Sequence, residues 1–130
     1  MGPGMPASLL VFLGGGLGAL SRWLLSTSIE SLALKTSLHR FPFGVLACNL
    51  LGCLAVGLWF GAWAGRQAPG WVFPLMVTGF LGGFTTFSAF GNDTRQLLAE
   101  GFGTVALTNV LVSTVGGIAL VIIGFRLAHS

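Results

Sequence analysis

Three groups of side chains in this sequence could do chemistry in an apolar setting. Asn49 lies in the middle of an uncharged run. An amide in hydrocarbon needs a partner, so such a residue either marks a pathway for a polar solute or joins two helices, a bond worth about 1 kcal/mol. Residue type alone leaves both readings open. Asn109 and Ser113 stand four residues apart and share one helix face, with Thr108 and Thr114 beside them. Hydroxyls can also satisfy themselves on their own helix. Phe80, Phe84, Phe87 and Phe90 recur at three- and four-residue steps. Such a stripe packs against neighbours or lipid, or it turns the positive edges of its rings toward a small anion without supplying a fixed charge.

Other chemistries lack their residues. Cys48 and Cys53 are five apart, neither a redox nor a zinc spacing, and read as small packing groups. His39 and His129 fall in a loop and at the C-terminus, where solvated or interfacial placement is expected. No Asp or Glu is expected in mid-span: Glu30 is placed beyond the first span, and Asp93 and Glu100 flank the third loop. Proton-coupled pumps and small multidrug transporters use a membrane carboxylate, so its absence argues against them. No nucleophile–base pair or phosphate-binding glycine loop supports an enzyme. A net charge of +3 spread over six basic residues is no nucleic-acid surface.

The elements that must hold these residues follow from the charges. Of 130 residues 54% are hydrophobic and 7% charged, far below the roughly 25% of a soluble domain. The uncharged runs 41–65, 67–92 and 101–125 are each 25 or 26 residues long, and a helix crosses hydrocarbon in roughly 20. The first apolar pattern continues through Arg22. These runs predict an all-α integral membrane protein, one domain over 1–130, with spans at Ser8–Ser28, Phe41–Trp63, Trp71–Leu98 and Gly103–Phe125. The runs do not alternate as barrel strands do, and the residues before Ala7 lack the cationic start of a signal peptide.

Gly14–Gly16, Gly18, Gly52, Gly57, Gly61, Gly116 and Gly117 suit close helix approach. Glycines and paired threonines weaken the third span, and a break near mid-membrane is expected within Gly79–Thr86. Such backbone is tolerated at that depth when buried or lining a cavity, and its free carbonyls can bind a small cation. Arg66 and Arg126 fall on one side of the membrane, Lys35, Arg40 and Arg95 on the other, with Arg22 added if it snorkels that way. So even a balance fixes no orientation; it permits insertion both ways, hence an antiparallel homodimer, and equally a weakly preferred single orientation.

Three blocks carry a resemblance: Gly15-Gly16-Leu17-Gly18-Ala19-Leu20-Ser21-Arg22-Trp23, Phe43-Gly44-Val45-Leu46-Ala47-Cys48-Asn49-Leu50-Leu51-Gly52, and Gly79-Phe80-Leu81-Gly82-Gly83-Phe84-Thr85-Thr86-Phe87-Ser88-Ala89-Phe90. In this order, over essentially the whole chain, they resemble the CrcB/Fluc family of microbial fluoride channels, though Val45 and Ala89 replace frequent threonines. The resemblance implies a dual-topology antiparallel homodimer in the cell (inner) membrane, bounded by lipid, with two fluoride pores. It implies that Phe87 and Phe90 offer ring edges to fluoride, that Asn49 is the pore asparagine, and that Arg22 stands near the pore entrance. Ser113 would belong to the polar track. The backbone carbonyls of Gly82 and Thr85 would hold a central structural Na⁺. A coupled transporter and a non-transporting membrane subunit are the alternatives to a passive channel.

Overall fold

The computed structural model describes residues 5–35 and 40–129, so His39 lies outside the described residues. Helix α1 runs over Ala7–Ala33 and α2 over Phe43–Ala62. A π-helical stretch, π1 (Phe73–Leu81), leads into one turn of α-helix, α3 (Gly82–Phe84). Two residues later α4 (Phe87–Ala99) begins. The last segment comprises α5 (Gly103–Leu111), a π-helical turn π2 (Val112–Gly116) and α6 (Gly117–Ala128). No strand occurs among the described residues. Four stretches, Ala7–Ala33, Phe43–Ala62, Phe73–Ala99 and Gly103–Ala128, are long and apolar enough to cross a membrane.

These stretches overlap all four expected spans, and the largest difference is at the end of the first. Helix α1 continues five residues past Ser28. The hydroxyls of Thr27, Ser28 and Ser31 bond carbonyls three or four residues back, at 2.7–3.2 Å. They thereby satisfy themselves on the helix instead of ending it. This corrects one placement: Glu30 belongs to α1 rather than to the loop beyond it. Asp93 likewise lies well inside α4, six residues before its end, and not at the edge of the third loop.

The helices pack in pairs, α1 against π1 and α3, and α2 against α6. Glycine makes both seams possible. A Cβ on Gly18 would collide with the carbonyl oxygen of Phe80, and one on Gly14 with that of Leu75. On the other seam, Cβ atoms on Gly57 and Gly61 would strike the carbonyls of Val121 and Phe125. Backbone thus lies on backbone, the close approach that small residues permit in membranes. Gly16 does not share this role, because nothing lies within 4 Å of its Cβ position. Gly18→Val should therefore destabilise the bundle by about 1–3 kcal/mol or more, while Gly16→Ala should be neutral. Thermal unfolding of the two detergent-solubilised variants checks this; equal midpoints would refute the seam.

The turn between α4 and α5 closes with Gly101 at φ 83°. Phe102 N–H donates to Leu97 O at 2.8 Å and Gly101 N–H to Leu98 O at 3.1 Å, a Schellman ending that only a residue without Cβ takes without strain. Beside it Arg40, before α2, pairs with Glu100 at 3.6 Å and lies 4.3 Å over the Phe102 ring. The first and third connections therefore meet at one end of the bundle.

The interior is thin. Leu10, Cys48, Leu97 and Ala106 are the buried apolar side chains among the described residues, while Phe12, Trp23, Phe87 and Leu107 each stay more than half exposed. An apolar exterior of this extent calls for an apolar surrounding. The cysteines are free thiols in the helix seams. Cys48 Sγ lies 3.8 Å from Arg22 O, and Cys53 Sγ faces Gly117.

Candidate functional site

Between α3 and α4 the chain leaves helical geometry for two residues, Thr85 (φ −91°, ψ 155°) and Thr86 (φ −150°, ψ 124°). Side chains take two of the backbone N–H groups that a continuing helix would pair, those of Thr86 and Ala89. Thr86 N–H donates to Asn49 Oδ1 at 2.7 Å, and Asn49 Nδ2 donates back to Thr86 O at 2.9 Å. One amide from α2 thus pairs both polar groups of the Thr86 residue, 37 positions away in sequence. Thr86 in turn caps α4: its Oγ1 accepts from Ala89 N–H at 3.2 Å, satisfying one donor of the new helix. Thr85 Oγ1 bonds back to Leu81 O at 3.0 Å.

Arg22 reaches the same place from α1. Its Nε donates to the carbonyl of Gly83 at 3.1 Å, which places a cation beside the exposed C-terminal carbonyls of α3. The next carbonyls lack their helical donors. Four residues on from Gly82, the Thr86 N–H is taken by Asn49. Four on from Thr85, the Ala89 N–H is taken by Thr86 Oγ1. Both carbonyls are therefore hard oxygen acceptors of the kind that suits a small alkali cation.

Two clefts meet at Asn49. One, of about 410 Å³, is bordered by Asn49, Gly52, Gly82, Thr85, Thr86 and Phe87. The other, of about 290 Å³, brings together Asn49, Phe87, Phe90, Ser113 and Thr114. Four of the five residues expected along an anion path thus share one groove, and the fifth, Arg22, bonds the backbone beside it. The rings of Phe87 and Phe90 lie 5.5 Å apart at 44°. Phe80 and Phe84 instead stack at 5.9 Å and 8°, so the phenylalanine stripe divides into two pairs. Thr108 bonds the carbonyl of Thr104 on its own helix.

The groove offers donors and no fixed charge. An amide nitrogen carries two hydrogens, and Thr86 O takes one of Asn49's. The second hydrogen and the phenyl edges are what remains for a ligand, since the Ser113 hydroxyl donates to Asn109 Oδ1 at 3.4 Å. Sequence reasoning missed Thr86 and Thr94. Thr86 had a signal, a threonine directly before an apolar helical run, the N-cap position. Thr94 had none, since its partner Asn109 is 15 residues away. Among the described residues no group of three His, Cys, Asp or Glu side chains could hold a metal.

Spans, seams and site together define a small multi-pass membrane protein whose polar groups are gathered around an interrupted helix. The family described as CrcB-like protein, Camphor Resistance (CrcB), matches residues 9–125, and the chain belongs to that family. It is 38% identical over 122 residues to a fluoride-specific ion channel FluC of Francisella philomiragia, covering 90% of each chain. Identity is 42% over 120 residues to the protein of that name from Escherichia fergusonii, covering 90% of this chain and 89% of that one. It is again 42%, over 122 residues, to that of an Escherichia coli strain, covering 92% and 91%. In bacteria such a protein resides in the inner membrane.

Proposed function

We propose that this chain is a fluoride-selective passive channel, not an enzyme, which lets fluoride leave the cytoplasm. The single observation that carries the reading is the groove that joins Asn49, Phe87, Phe90 and Ser113, in a chain 38–42% identical to channels named for fluoride. Fluoride is small and strongly hydrated, so a path must replace its water with closely spaced donors. Amide N–H and ring edge do this without a fixed cation that would hold the anion too tightly to leave. Arg22 concentrates the anion at the mouth. A negative-inside potential drives exit with about 2.3 kcal/mol per charge per 100 mV.

The functional unit is an antiparallel dual-topology homodimer with two pores. The near-even basic charges on the two sides support it, as does a single subunit with four buried apolar side chains among those described. The third span is broken near mid-membrane at Thr85–Thr86. The Gly82 and Thr85 carbonyls, left without helical donors, would hold a structural Na⁺ at the subunit interface, and such an ion supplies positive field.

Fluoride efflux from proteoliposomes, followed with a fluoride electrode, tests the function. The expected result is rapid release that carries current and needs no pH gradient. Release no faster than from empty liposomes would overturn it, and currentless release that requires a pH gradient would establish coupled exchange instead.

A further inference from the structure

Asn109 on α5 is 1% exposed, the largest buried polar side chain among the described residues, and the path above uses none of its atoms. An amide so enclosed must be paired. Its Nδ2 donates to Thr94 Oγ1 at 3.1 Å, and its Oδ1 accepts from Ser113 Oγ at 3.4 Å. Thr94 Oγ1 donates in turn to the carbonyl of Phe90 at 2.8 Å.

The direction of these bonds follows from the groups themselves. An amide N–H can only donate, so the Thr94 oxygen is the acceptor on that side and its one hydrogen is left for Phe90. The Ser113 hydrogen is likewise drawn to the amide oxygen. A one-way chain therefore runs from Ser113 through Asn109 and Thr94 to Phe90. Its two ends line the groove that also holds Asn49, while Thr94 and Asn109 stand behind it. A threonine on its own helix bonds a carbonyl one turn back as a matter of routine. What is particular here is that a buried amide from the neighbouring helix fixes which way that hydroxyl points.

We propose that Asn109 and Thr94 are positioning residues of the fluoride path. They lock the first turn of α4, and with it the Phe90 ring, to the Ser113 hydroxyl across the α4–α5 seam. The inference rests on the channel reading and adds the determinant that sets the geometry of its two walls.

The test compares Thr94→Val, Thr94→Ser and Thr94→Ala with wild type in fluoride efflux, after size-exclusion chromatography of each. Thr94→Val keeps the shape and loses the hydroxyl; Thr94→Ser keeps the hydroxyl and loses the methyl. Efflux should fall about fivefold or more in Thr94→Val and stay near wild type in Thr94→Ser. A residue that only packs gives the reverse order, and that order overturns the proposal. If Thr94→Val does not yield folded protein, Thr94→Ser against Thr94→Ala isolates the hydroxyl, and equal flux in that pair overturns the proposal. Adding Asn109→Ala to Thr94→Val should cost little more, because one chain is already cut; a second independent fall would refute the linkage. Wild type without flux removes the channel reading itself, whereas a conducting wild type with an equally conducting Thr94→Val removes this inference alone.

Discussion

Asn49→Leu abolishes conduction and lowers stability together. The substitution keeps the branched outline of the side chain and removes both bonds to Thr86, at 2.7 and 2.9 Å. A backbone N–H and a backbone C=O are then left without partners in an apolar bundle, at about 1–3 kcal/mol each. Asn49→Asp separates the two roles of the side chain. It retains an acceptor for the Thr86 N–H but turns a carboxylate oxygen toward the Thr86 carbonyl and toward any anion in the groove. Thermal unfolding should therefore place Asn49→Asp between wild type and Asn49→Leu, while fluoride efflux falls to the liposome background in both. A wild-type midpoint for Asn49→Leu would show that the amide does not hold this backbone. Undiminished flux in Asn49→Asp would remove Asn49 as a fluoride ligand.

Phe87→Ile and Phe90→Ile lose flux without losing the fold. Phe87 is 83% exposed in the single subunit, so shortening it removes no interior packing there, and Phe90 is only half-buried. The path loses a ring edge in each case, and isoleucine has none to offer. About tenfold less flux is the result of roughly 1.4 kcal/mol lost at the barrier, and each variant should show at least that in the efflux assay. Size-exclusion chromatography should show each variant eluting as wild type does. Two folded variants with normal flux would exclude the ring edges from the mechanism.

The four spans were legible because charge is costly in hydrocarbon, so nine charged residues in 130 punctuate the chain. The end of α1 was not legible. It depends on hydroxyls whose choice between helix and loop is local and close in energy, and the first span was accordingly read short at Ser28. Asn49, Phe87, Phe90 and Ser113 could be named from residue type and from the family resemblance. Their partners could not. Which residues of Gly79–Thr86 depart from helical geometry is decided by an amide on α2, and no pattern local to that window contains it. Arg22 was read as an entrance residue, yet its bond to Gly83 O spans 61 positions. Asn109 and Ser113 were placed on one face by their spacing, and a hydrogen bond joins them. That the same amide reaches Thr94 follows only from the packing of α5 on α4.

Helix length has one more consequence. Helix α2 has 20 residues, and α1 has 27. At 1.5 Å per residue these are about 30 Å and about 40 Å, against a hydrocarbon layer of about 30 Å. Helix α2 fits the layer upright, whereas α1 must lean or protrude. Helix α2 also carries Asn49 and so fixes the depth of Thr86. A thicker or thinner bilayer therefore presses first on the element with no slack, making membrane thickness, as much as temperature, a variable that acts on the site.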